Sequence, residues 1–222
     1  MKVSVIIPSF NEEKTLKTII DKVLKQKDIS EIIVVDDGSK DKSWDILKSI
    51  KNSKIKSFKH DKNQGKGAAI ITGINKASFD YVLIQDADLE YDPVNYQAIF
   101  KKASKKVAVF GSRLKTKNNF AYIRTYLGNI FITTIGNILF NIRLTDSYTC
   151  YKLIPTNIAK SLKLNSKGFE IEAEITGKLA MRKIPIIEVP ISYKPRNYEE
   201  GKKIKAKDAI NGFVTYLKVR FS

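Results

Sequence analysis

Two rhythms of hydrophobic positions run along this chain. Continuous apolar runs, Val3 to Ile7, Ile32 to Val35, Tyr81 to Ile84 and Val107 to Phe110, have the form of strands buried on both faces of a parallel sheet. Between them apolar residues return every third or fourth position, as on one face of a helix: Leu16, Ile19, Ile20, Val23 and Leu24, then Trp44, Leu47 and Ile50. Pro8 is expected to stop the first strand, and Ser9 to Glu12 has capping-box spacing ahead of the first helix. Ile55 to Phe58 reads as a shorter strand, the residues from Gly65 to about Ala77 as a helix, and Pro93 suits the first turn of another. Strand and helix alternate, which predicts an α/β fold, a mostly parallel sheet with helices on both faces. After Arg113 the rhythm changes. A polar loop from Lys115 to Asn119 precedes a long helical stretch, Tyr126 to Ile142, and a helix near Asn157 to Leu162. A helix opening at Gly168, a last strand over Ile186 to Val189 and an amphipathic helix with Ile210, Phe213, Val214 and Leu217 complete the chain. No repeat or linker divides it, so one domain is expected over 1–222, with a C-terminal extension.

The apolar runs end in acids. Ile32 to Val35 breaks into Asp36-Asp37, and Tyr81 to Ile84 leads to Asp86, Asp88, Glu90 and Asp92. In open α/β sheets ligands bind beyond the carboxyl ends of the strands. Side chains two apart on extended backbone point the same way, so Asp86 and Asp88 can converge on one point, as a hard divalent cation requires. Taken alone, D-x-D is commonly a solvated acidic turn. Between the two acid clusters lies Gly65-Lys66-Gly67, where a helix start offers backbone N–H groups and a lysine to a diphosphate. This loop has neither the G-x-x-x-x-G-K-[ST] pattern nor the third glycine of a dinucleotide fingerprint.

Charge narrows the partners. The formal net charge of +17 implies something anionic: nucleic acid, an anionic membrane surface or phosphorylated substrates. A single cysteine, Cys150, and a single histidine, His60, rule out a disulfide within the chain and a His/Cys metal site, so any metal must be held by oxygen. His60 has no partner pattern and is expected at the surface; Cys150 is expected to pack. The first strand begins too early to leave room for a signal peptide, which suggests a cytoplasmic protein. No apolar run reaches the ~20 residues of a membrane span. Tyr126 to Ile142 is interrupted by Asn129, Thr133, Thr134, Gly136, Asn137 and Asn141 and is at most interfacial.

The motifs together are specific. Val5-Ile6-Ile7-Pro8-Ser9-Phe10-Asn11-Glu12, Val35-Asp36-Asp37-Gly38-Ser39, Asn63-x-Gly65-Lys66-Gly67-Ala68, Asp86-Ala87-Asp88, Gly111-Ser112-Arg113 and Glu188-Val189-Pro190-Ile191-Ser192-Tyr193 span almost the whole chain. In these residues it resembles the family-2 inverting glycosyltransferases of the GT-A fold, most closely the polyprenyl-phosphate branch. The resemblance implies that Pro8, Phe10 and Glu12 line a nucleotide pocket, that Asp37 bonds the base and that Lys66 lies near the diphosphate. It implies that Asp86 and Asp88 hold Mg²⁺ or Mn²⁺, with Glu90 in a third position often occupied by Gln in that branch. Arg113, Arg124 and Arg196 match positions that grip the acceptor phosphate or the departing diphosphate, Arg124 most loosely. Glu170 and Glu172 match a segment near the acceptor site, although acids at a helix start also favour its dipole. Lys202 and Lys203 suit either plain surface or phosphate and membrane contact.

By this resemblance, residues 1–113 form a nucleotide-sugar-binding half and 114–222 an acceptor- and membrane-facing half. One sugar of the mannose or glucose class moves from a UDP- or GDP-linked donor to a polyprenyl phosphate, on the cytoplasmic membrane face. Phosphate is already ionised, so no general base is expected, and Asp146, Glu170 and Glu172 are left to position or to support. A hydroxyl acceptor in surface-polysaccharide synthesis is the alternative within the class. A basic nucleic-acid-binding protein is the alternative outside it, disfavoured because the chain has no RRM, HTH or OB signature and its best motifs are acidic and metal-like.

Overall fold

A computed structural model describes residues 1–118, 120, 122–196, 203 and 206–222. The expected apolar runs form strands β1 (Val3–Ser9), β2 (Ile29–Asp36), β3 (Ile55–Lys59), β4 (Tyr81–Ile84), β5 (Ala108–Ser112) and β7 (Ile186–Pro190), and helices α1 (Leu16–Leu24), α2 (Ser43–Ser49) and α3 (Lys66–Lys76) alternate with the first of them. A short turn of 3₁₀ helix at Pro93–Asn95 leads into α4 (Tyr96–Phe100). Later come α5 (Ile123–Phe140), α6 (Thr156–Ser161), α7 (Ile171–Met181) and α8 (Ala206–Phe221). One further strand, β6 (Lys152–Pro155), was not foreseen. It lies in a seven-stranded sheet of order β3-β2-β1-β4-β6-β5-β7 and runs antiparallel to both neighbours. The sheet is therefore mixed, with every other pairing parallel.

Two local expectations fail for identifiable reasons. Pro8 does not end β1; it pairs in register with Val35, and the strand continues to Ser9. Ser9 does not cap α1, which begins at Leu16. Instead the Glu12 carboxylate accepts a hydrogen bond from the Thr15 hydroxyl at 3.0 Å.

The core follows from the sheet. Val5, Ile6, Ile7, Ile32 to Val35 and Val82 to Ile84 are fully enclosed, with α1 and α3 packed through Leu16, Ile19, Ile20, Ala69 and Ile70. Gly73 of α3 lies directly on the Ile6 side chain, where a methyl group would collide. A second, smaller cluster joins α5, α7 and α8 through Ile132, Ala173 and Tyr216. The chain leaves β1 in one direction toward β2 and in the other toward β4, so the sheet's topological switch lies between β1 and β4. Their carboxyl ends open on a common crevice.

Candidate active site

That crevice is a cavity of about 830 Å³. It gathers residues scattered over the sequence: Pro8, Phe10 and Glu12 after β1, Asp37 after β2, Lys66 at the start of α3, and Asp86, Asp88 and Glu90 after β4. Arg113, Arg124, Arg196 and Lys203 complete it from the second half of the chain. All ten residues singled out in the sequence for nucleotide, metal or phosphate contact, and Glu90 with them, reach this one space.

Asp37 serves the loop as well as the cavity. Its Oδ1 lies 2.7 Å from His60 Nδ1 and accepts from Gln64 N at 3.0 Å, while its Oδ2 accepts from Gly65 N at 2.7 Å. Ala68 N donates to Lys167 O at 3.2 Å. These contacts modify the expected phosphate cradle, because much of its N–H capacity goes to oxygens of the chain itself. The glycines answer a close approach instead. Gly65 has φ of +102°, and a Cβ on it or on Gly67 would run into the backbone of residues 166–168. His60 also departs from expectation. It is not a surface residue: its side chain is 11% exposed, and Nε2 lies 2.9 Å from Thr72 Oγ1 of α3.

Lys66 is what the loop contributes to the cavity. Its Nζ sits 2.8 Å from Asp86 Oδ1 and 3.2 Å from Glu172 Oε1, with the Phe169 ring 5.6 Å away. Burial works against its charge, but Asp86 and Glu172 hold the ammonium well above the usual lysine range. Two residues on, Asp88 Oδ2 accepts from Arg196 Nη2 at 3.1 Å. Burial first, with Asp86 and Glu90 adding to it, pushes the Asp88 carboxyl up to about 7 despite that arginine. Glu90 turns to the later chain, accepting from Arg196 N at 2.7 Å and Tyr193 Oη at 3.0 Å.

The donor set for a metal is all oxygen, as a hard cation wants. Crowded carboxylates at a buried strand end are relieved by positive charge, so Asp86 and Asp88 fit a divalent ion. Among the described residues no three acids are gathered into a ready-made metal cluster, and Glu90 does not join the other two. Two carboxylates nonetheless suffice where phosphate oxygens fill the remaining positions.

The arginines differ sharply. Arg113 is almost enclosed and makes a fork to Asp146, Nε to Oδ2 at 2.7 Å and Nη2 to Oδ1 at 2.8 Å, with Tyr148 O a further acceptor. Asp146 is fully buried and also accepts from Asn129 Nδ2. Burial would raise its carboxyl, but Arg113 more than offsets this and holds it below the usual range. Arg113 is thus mostly committed inside the protein. Arg124, in the first turn of α5, is exposed. Arg196 spans Glu12 and Asp88, and Lys203 adds a 2.6 Å contact to Glu12 Oε1 and another to Phe10 O. Lys202, with Glu199 to Gly201, falls outside the described residues.

Two residues were under-rated by sequence. Glu172, a second-rank candidate, lines the cavity beside Lys66, whereas the Glu170 carboxylate accepts from Gly168 N. Lys152 had no signal, because one lysine in a strand missing from the predicted pattern looks like any other. Cys150 packs as expected, its Sγ accepting from Asp86 N at 3.0 Å.

Comparison with known proteins agrees with this geometry. Residues 4–162 match the family described as glycosyl transferase family 2. The chain is 28% identical over 237 residues to a UDP-N-acetylglucosamine–dolichyl-phosphate N-acetylglucosaminyltransferase of Methanococcus voltae, covering 96% of this chain and 93% of that protein. It is 30% identical over 213 residues to a dolichol-phosphate mannosyltransferase of Pyrococcus furiosus, covering 91% of this chain but only 59% of the relative. In fold it resembles glucosyl-3-phosphoglycerate synthase of Mycobacterium tuberculosis crystallised with UDP, with a TM-score of 0.74 at 16% identity over 99% of this chain and 80% of that one. The same synthase has been crystallised with Mn²⁺ and UDP-glucose.

Proposed function

Because the chain belongs to glycosyltransferase family 2, we propose that its cavity moves one sugar, of the mannose or glucose class, from a UDP- or GDP-linked donor to a polyprenyl phosphate. The observation that carries this reading is the pairing at the end of β4. Asp86 and Asp88 each face a cation from a distant segment, Lys66 and Arg196, inside one cavity. Such a site can hold a diphosphate and a second phosphate together. The names of the Methanococcus and Pyrococcus relatives, both dolichyl-phosphate sugar transferases, support the acceptor class.

An oxygen of the acceptor phosphate attacks the anomeric carbon from the face opposite the diphosphate. The new C–O bond forms as the bond to the diphosphate breaks, and configuration inverts. Lys66 and Arg196 neutralise charge on the departing diphosphate. Mg²⁺ or Mn²⁺, when held by Asp86 and Asp88, adds charge neutralisation there. No proton need leave the acceptor, which matches the remaining groups: His60 is held between Asp37 and Thr72, and Asp146 is spent on Arg113. Phosphate, with a second pKa of about 6, attacks as it stands.

The acceptor's lipid places the work at an anionic membrane surface, on the cytoplasmic side. No helix among the described residues is long and apolar enough to cross a membrane. Ile123, Leu127, Phe131 and Ile138 of α5 and Ile210 and Phe213 of α8 are exposed, and these make the peripheral contact. Thermal-shift titration with UDP and GDP in the presence of Mn²⁺, followed by transfer assays on a polyprenyl phosphate and on sugar hydroxyls, tests the reading. Stabilisation by one nucleotide and turnover on the lipid phosphate are expected. Turnover on a hydroxyl acceptor alone overturns it.

A further inference from the structure

One charged group lining the cavity has no task in the transfer just described. Glu172, on α7, is 2% exposed. Its Oε2 lies 2.5 Å from Nζ of Lys152, a fully enclosed lysine of β6 whose other two donors go to Ser147 O and Thr149 O. A lysine has three donors, so Lys152 is saturated and its position is fixed. The second oxygen, Oε1, is buried and makes no hydrogen bond; it faces Lys66 Nζ across an ion contact of 3.2 Å. Four charges of alternating sign, Lys152, Glu172, Lys66 and Asp86, thus run from the middle of the sheet to the strand end, each from a different segment.

Burying so many charges is costly unless each is compensated. Lys152 alone would satisfy Glu172 by half. The open oxygen aimed at Lys66 is therefore a reserve contact, available when the lysine's other partner is withdrawn. Asp86 cannot pair fully with Lys66 and with a divalent cation at once. The Phe169 ring stands 5.6 Å from the ammonium.

Resting on the reading of the cavity as a donor site, we propose that Glu172, anchored by Lys152, is a positioning residue that keeps Lys66 directed at the donor diphosphate once Asp86 turns to the cation. Glu172 acts through Lys66 and does not touch the sugar or the acceptor.

The test is calorimetric binding of UDP and of GDP, each with Mn²⁺, to the whole chain. Glu172→Gln strands a buried ammonium, so the paired variant Glu172→Gln/Lys152→Met, which removes both charges, is measured beside it. A loss of roughly tenfold in nucleotide affinity is expected in the paired variant, the scale of one charge-assisted contact. Lys66→Ala is expected to lose at least as much. Adding the paired substitutions to Lys66→Ala should then change nothing, because the residue they act through is gone. Wild-type affinity in the paired variant overturns the proposal, and so does a further loss on top of Lys66→Ala, the mark of a merely structural role. If wild-type protein binds neither nucleotide, the donor-site reading itself falls and this role falls with it.

Discussion

The two cation–carboxylate clusters of the cavity are built in opposite ways. Lys66, Asp86, Glu172 and Lys152 stand on or directly after α3, β4, α7 and β6, and no side chain among them is more than 19% exposed. Glu12, Asp88 and Glu90 are instead met by Arg196 and Lys203, which lie beyond β7 outside regular structure, and the Lys203 side chain is 37% exposed. The first cluster is held by the same packing that holds the sheet. In the second, the Arg196 pairs are as enclosed as Lys66 with Asp86, but the cations stand on backbone outside helix and strand, and at Lys203 water competes for the contact. A substrate phosphate can take Lys203 from Glu12 at little cost, whereas it must accept the first cluster as it finds it. Position is supplied by one cluster and exchange by the other.

Removing one charge from each side breaks the comparison most directly. Lys152→Met leaves Glu172 enclosed without its closest counter-charge and is expected to cost about 3–5 kcal/mol in denaturant unfolding. Arg196→Ala should cost less stability than Lys152→Met, because Lys203 still faces Glu12, while lowering kcat/KM toward the polyprenyl phosphate. Equal stability losses in the two variants would erase the distinction. Next in size, Asp88→Asn should reduce turnover by on the order of 10²-fold or more, with the fold intact and nucleotide binding no longer responsive to Mn²⁺. Full wild-type activity in excess EDTA would contradict a cation on these acids. The smallest effect belongs to the outer surface. Phe131→Glu on α5 is expected to weaken flotation with anionic vesicles about fivefold without altering nucleotide affinity, since a charge replaces apolar area at the interface. Unchanged flotation at low salt would assign that face to another partner.

Much of this was legible in the sequence because it rests on local pattern. The parallel strands announce themselves as apolar runs, and their acidic ends follow once the strand ends are placed. What escaped depends on partners far away. Lys152-Leu153-Ile154-Pro155 is too short, and begins too polar, to be recognised as a strand without knowing that β4 and β5 await it on either side. His60 looked solvated because its two partners, Asp37 and Thr72, are 23 and 12 residues away. The sequence marks the α5 stretch as at most interfacial without dividing its sides, and they diverge: Ile132, Thr133 and Gly136 face the protein while Leu127, Phe131 and Ile138 face out. Helical periodicity could have separated them only if the inner face were less polar. Asn129 and Thr133 blur it, because Asn129 donates to Asp146 and Thr133 bonds Ser147.

The antiparallel strand β6 also bears on how the molecule is made. β5 has no neighbours in the sheet except β6 and β7, and both come later in the chain. As the protein leaves the ribosome, β3, β2, β1 and β4 can assemble while β5 waits without a place to dock. Until Lys152 to Pro155 emerge, β4 presents an open edge of unpaired backbone, the kind that recruits foreign strands. At roughly 5–20 residues per second that interval lasts seconds. The strand that brings Lys152 under the cavity therefore joins the sheet late, and a chain stalled before β6 lacks both that lysine and a cover for β4.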